Sequence, residues 1–202
     1  MSVQIATFPP QSKAKPLKPL KFPQPKLLTF KDYERLTPPD NSNYELHNGK
    51  IIFMASPIAP HQIVSGNLHA VIHTYIRKNK LGIVLTAPMD TILTPNDTFQ
   101  PDLLYVSAER SHIIERQVKG APDFIVEILS ESNSTKEMSY KKYVYESTGV
   151  KEYWVINIIK QTITQYENVE GEFLLRKVAR LNESLTSFVI DKFELQVNDI
   201  LL

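Results

Sequence analysis

A chain of 202 residues, 42% of them hydrophobic, can bury one core of ordinary size but not two independent ones. It has no cysteine, which excludes a disulfide framework and any thiolate metal site, so a metal must be held by oxygen or imidazole. The formal net charge of +1 hides a division: residues 1–26 carry five lysines and no acid, leaving 18 basic against 22 acidic residues, a net −4, unlike the basic domain of a dedicated nucleic-acid binder.

The first 26 residues also hold six prolines, which no helix or central strand tolerates. Residues 1–28 are therefore expected to be a disordered Pro/Lys-rich tail, either a solvated leader or a basic arm for phosphate, and 29–202 the folded domain. No apolar run reaches eighteen residues and no secretory leader pattern opens the chain, so a cytoplasmic protein without membrane contact is expected.

Thr29-Phe-Lys-Asp32 resembles a capping box ahead of a short helix to Leu36, which Pro38 and Pro39 stop. Tyr44 to Ser56 reads as a hairpin turning at Asn48-Gly49. Between His61 and Lys80, Ile63, Val64, Leu68, Val71, Ile72, Tyr75 and Ile76 recur at helical spacing, with Gly82 placed as a C-cap. Beta-rich runs follow at Ile83–Leu93, Leu103–Val106 and Phe124–Leu129; the last has little polar alternation, as in a strand covered on both faces. A helix from Ser134 to about Ser147 ends at Gly149. Strands are expected at Glu152–Ile158, Thr162–Glu167 and Phe173–Val178, with a strand or turn in Ser187–Leu202. This order predicts an α/β (α+β mixed) domain, one mixed central sheet flanked by helices with an N-terminal β-hairpin.

Two residues break the apolar logic. Asp102 precedes Leu103, Leu104 and Tyr105, and Glu127 sits within Phe-Ile-Val-Glu-Ile-Leu. A carboxylate in such a run is costly unless paired or metal-bound. Pro101 fixes the backbone where Asp102 must be aimed.

Pro101-Asp102 with Glu127-Ile128-Leu129 resembles the PD-(D/E)XK signature of restriction-like nucleases. The wider pattern comprises Tyr44-Glu45-Leu46, His61-Gln62, Gln100-Pro101-Asp102, Ala121-Pro122-Asp123, Glu127-Ile128-Leu129-Ser130, Lys141, Tyr145 and Glu152-Tyr153-Trp154. It resembles the Uma-two endonuclease family, a bacterial group long catalogued as a domain of unknown function, over about residues 29 to 202. The resemblance implies a restriction-endonuclease-like core and Mg²⁺ or Mn²⁺ held by Asp102, Glu127, Glu45 and the Ile128 carbonyl. It implies phosphodiester hydrolysis in DNA, with His61, Gln62, Gln100 and Ser130 toward the substrate. The chain departs from the signature at Leu129, where a lysine is usual, and Lys141 of the following helix matches the family's lysine instead. Glu137, one turn before it, shares its helix face.

Each assignment has a plainer alternative. Glu45 could be an exposed strand residue, Lys141 and Glu137 a surface ion pair, and His61 a helix cap. His69 and His73 have the spacing of zinc proteases but lack the accompanying glutamate and a third ligand. Six glycines form no phosphate-cradling loop. Besides a metal-dependent endonuclease, with a homodimer suited to cutting both strands, two functions remain: a degenerate nuclease fold that binds nucleic acid or protein, and a small-molecule binder using the same cleft. Convergence of Glu45, Asp102, Glu127 and Lys141 separates them.

Overall fold

The computed structural model describes residues 26–38, 44–129 and 135–201; the tail, residues 39–43 and 130–134, and with them Ser130, lie outside it. Helix α1 spans Phe30–Leu36, its Asp32 carboxylate accepting from the Thr29 backbone N–H as expected of a capping box. Strands β1 (Tyr44–His47) and β2 (Lys50–Phe53) form the predicted hairpin, with positive φ at Asn48 and Gly49. Helix α2 runs Ala59–Asn79, beginning two residues earlier than the periodicity indicates because Pro60 is accommodated in its first turn.

Two expectations need correction after α2. Lys80, not Gly82, takes the left-handed C-cap conformation. Gly82 opens β3 (Gly82–Thr86) instead, at φ 154° and so close to the strand through Val106 that a Cβ would strike the Val106 carbonyl oxygen. The run Ile83–Leu93 is also not one element: it breaks at Ala87-Pro88, and its second half is β4 (Thr91–Thr94) of a different sheet. Strand β5 (Asp97–Phe99), unforeseen in the sequence, returns beside β4 before the chain crosses back as β6 (Leu103–Ser107).

A 3₁₀ turn at Ala108–Ile113 leads to the short β7 (Val118–Lys119). Then come β8 (Phe124–Leu129), α3 (Thr135–Thr148), β9 (Glu152–Asn157), β10 (Thr162–Val169) and β11 (Glu172–Arg180). The chain ends with β12 (Ser184–Thr186), β13 (Glu194–Gln196) and a 3₁₀ turn at Val197–Asp199. The central sheet has the order β11-β10-β9-β8-β6-β3 and is mixed, since only β8 and β9 run parallel. The hairpin belongs to a second sheet, β2-β1-β5-β4-β7, in place of the single sheet expected.

Both faces of the central sheet are covered. On one, Val64, Leu68, Ile72 and Ile76 of α2 pack with Phe124, Val126, Trp154 and Ile156 and with the chain end at Phe193, Leu195 and Ile200. On the other, Val144 and Tyr145 of α3 and Phe99 of β5 pack with Ile125 and Tyr153. Alternation along β8 thus sends Phe124, Val126 and Ile128 toward α2, and Ile125 and Glu127 toward α3 and the second sheet.

Candidate active site

The ladder between β6 and β8 ends at the pair Leu103↔Val126, and the next positions along the two strands are Asp102 and Glu127. Asp102 closes this open end: its Oδ2 accepts the Ile128 backbone N–H at 2.7 Å, an amide that has no partner strand there. Its Oδ1 lies 3.2 Å from Nε2 of His61, which α2 delivers from its first turns. His61 is buried and faces the carboxylate, so it is not a cap.

Lys141 ties the two sheets together. Its Nζ lies 3.0 Å from Glu127 Oε1 on the central sheet and 2.9 Å from Glu45 Oε1 on the hairpin. With 3% of its side chain exposed, it is a buried double ion pair and not a surface bridge. Tyr145, one helical turn on, donates its hydroxyl to the same Glu127 oxygen at 2.6 Å. Glu45 is 1% exposed, and both its oxygens are engaged: Oε1 also accepts the Gln100 backbone N–H at 2.7 Å, and Oε2 meets His47 Nε2 at 2.6 Å. The sequence contained signals for both unforeseen partners, because His47 shares a strand face with Glu45 at period two and Tyr145 shares a helix face with Lys141.

The electrostatics follow from three acids gathered round one lysine. Burial pushes the Glu127 carboxyl up and the Asp102 and Glu45 charges push it further, outweighing Lys141 and Tyr145, so it rises to about 7. Burial acts the same way on Glu45, but Lys141, His47 and the Gln100 amide overcome it and hold the carboxyl down at about 2. Burial would strip the Lys141 proton, yet Glu127 and Glu45 keep it well above the ordinary lysine range. His61 is drawn down by burial, but the Asp102 hydrogen bond and charge, the Glu127 charge and the Ile128 backbone leave it raised. Its Nδ1 is buried without a hydrogen bond of regular geometry.

These groups line a cleft of about 730 Å³, together with Gln62 and Gln100. The Gln100 amide side chain donates to Asp90. Among the described residues no three histidine, aspartate or glutamate side chains form a ready metal cage. The donors present still fit a hard cation that keeps most of its water, since such ions are commonly held by one or two carboxylates. Asp102 and Glu127 line the cleft, and the hydrogen bonds to Glu127 from Lys141 and Tyr145 fall on Oε1.

A solved structure described as a putative nuclease belonging to DUF820 from Anabaena variabilis has the same fold, with a TM-score of 0.70 and 18% identity over 86% of this chain and 97% of that one. No curated protein matches. Among the described residues no helix is long and apolar enough to cross a membrane. A family model described as "Putative restriction endonuclease" matches residues 30–198. A mixed sheet flanked by helices, with its acids gathered at one open strand end, is a restriction-endonuclease-like architecture, and the chain belongs to this family, Uma2.

Proposed function

We propose that the protein is a divalent-metal-dependent endonuclease that hydrolyses phosphodiester bonds in DNA. The observation that carries the reading is Lys141, a fully buried cation bridging Glu127 and Glu45 in the cleft that holds Asp102. A purely structural lysine has no need of a cleft, and a binding module has no need of all four groups.

Asp102, Glu127 and the Ile128 carbonyl would hold Mg²⁺ or Mn²⁺. Bound there, the ion would polarise the phosphate and acidify a water molecule. Lys141, whose proton affinity is raised, keeps its proton and serves as a fixed positive donor that orients the attacking water and offsets charge on the phosphorane. Glu45 acts mainly through Lys141 and through water, because its own oxygens are occupied. His61, biased toward its charged form and held by Asp102, would add positive charge beside the phosphate, with Gln62 and Gln100 toward the strand, where the resemblance also assigns Ser130.

Nicking of supercoiled plasmid in Mg²⁺ or Mn²⁺ tests the proposal. Wild type should cleave, and Asp102→Ala and Glu127→Ala should each lose on the order of a hundredfold or more in rate. Equal nicking by all three would assign the activity to a contaminant.

A further inference from the structure

We propose that the cleft takes an unpaired stretch of DNA, its backbone passing over Gly66 of α2 and a base stacking on His69. The inference rests on the nuclease reading for the position of the scissile phosphate, and otherwise on the walls of the cleft.

The first observation is charge. Of the described residues lining the cleft, none is an arginine and Lys141 is the one lysine, already committed to Glu45 and Glu127. With so little positive charge along this wall to neutralise phosphates, affinity has to come from contacts with the bases. Its lining includes Met54, Ala55, Pro57, Ile58, Ala87 and Pro88 beside the polar groups, with Ile58 55% exposed. Such surfaces suit the faces of bases, which an intact duplex keeps stacked inside. The volume is also that of a small-molecule recess rather than a duplex-wide trough.

The second observation is Gly66. It sits in the middle of a 21-residue helix, where glycine is among the worst choices. The fold gives no reason for it: a Cβ there would meet nothing within 4 Å. Gly66 itself lines the cleft. A helix surface bared to its backbone lets a ligand's backbone come close.

The third is His69, one turn beyond Gly66 and also on the cleft wall. His73 stacks against it, ring centroids 5.0 Å apart and 24° between planes, so the outer imidazole is backed by a second ring. Imidazole is one of the planes on which unpaired bases stack. At 1.5 Å per residue, His69 lies about 12 Å along the helix axis from His61, a reach of a few nucleotides from the candidate reaction centre.

The test is fluorescence anisotropy of a 5′-labelled oligonucleotide in EDTA, as a single strand and annealed to its complement, using the full chain. The single strand should bind at least about tenfold more tightly than the duplex, and His69→Ala should weaken it by about tenfold. Gly66→Leu should weaken it similarly while its melting temperature stays equal or rises, since leucine favours the helix. Tyr143→Ala, which removes an exposed ring of α3 that does not line the cleft, should bind as wild type. Equal or tighter binding of the duplex overturns the inference, as does wild-type affinity in both His69→Ala and Gly66→Leu. Plasmid nicking separates the two readings. Cleavage without single-strand preference sinks this inference alone, and single-strand preference lost in both variants, without cleavage of any DNA, sinks the nuclease reading alone.

Discussion

Glu127 and Glu152 stand on neighbouring strands of one sheet, both buried among apolar residues, yet they are solved in opposite ways. Glu152 is met by neutral donors on every side. Its Oε1 accepts from Trp154 Nε1 at 2.7 Å and Gln165 Nε2 at 2.8 Å, and its Oε2 from Ser187 Oγ at 2.6 Å and the Phe188 and Val189 amides at 2.8 and 3.2 Å. The result pins the 187–189 turn to the sheet. Glu127 instead shares one lysine with Glu45, faces the Asp102 charge and opens on a cleft. Burial raises the proton affinity of both carboxyls, so burial is not what distinguishes them. A satisfied buried acid is a staple, whereas one crowded by like charges beside a cavity is poised to take a cation or a proton.

The largest effect should come from Lys141→Met, which leaves Glu45 and Glu127 buried without their cation and should cost about 3–5 kcal/mol in urea unfolding. A loss near zero would mean that the ammonium is not what holds the two acids. Glu152→Ala strands its five donors and should cost about 3 kcal/mol by the same measurement. It should nevertheless leave DNA cleavage per folded molecule unchanged, and a marked fall in that rate would erase the contrast drawn above.

The smallest effect concerns pH. The Glu127 carboxyl rises from 4.5 to about 7 on folding, so between those values the folded chain holds a proton that the unfolded chain has released. Stability therefore falls as pH climbs through that window and levels off above it. Glu45 has the opposite sign: its contribution is complete above about 4.5 and is lost as pH drops toward 2. Tyr145→Phe removes a donor that restrains the Glu127 shift, so it should cost about 1 kcal/mol. It should also extend the Glu127 decline to higher pH in melts taken from about pH 5 to pH 8. Millimolar Mg²⁺ should raise the melting temperature more at the alkaline end, because the ion competes with that proton. A Mg²⁺ effect that is flat in pH would separate the ion from Glu127.

Much of this was legible in the residues. Helical periodicity located α2 to within two residues, and the apolar run around Glu127 located β8 to the residue. Asp102 and Glu127 stood out because charge sat where apolar spacing left no room for it. The same reasoning would have flagged Glu152 as readily, and only the positions of its donors, two to thirty-seven residues away in sequence, settle its role. The second sheet was hidden because β5 is three residues long and follows Thr94-Pro-Asn96, which reads as a turn. Without that sheet, nothing in the spacing of residues brings Glu45 to Lys141, 96 positions away; the resemblance put both in one site but did not pair them.

Gln100-Pro101-Asp102 carries a practical consequence for anyone wishing to re-engineer the molecule. Within three residues the chain leaves one sheet and enters the other, the Gln100 amide fixing Glu45 and the Asp102 carboxylate fixing the Ile128 amide. One inserted residue there would throw both halves out of alignment at once, so this linker is the least forgiving place for a tag or a graft. The Glu170-Gly171 turn is the natural alternative. The registers of β8, β9 and β10 put it at the far end of the sheet from Glu127, where a fused reporter leaves the cleft untouched.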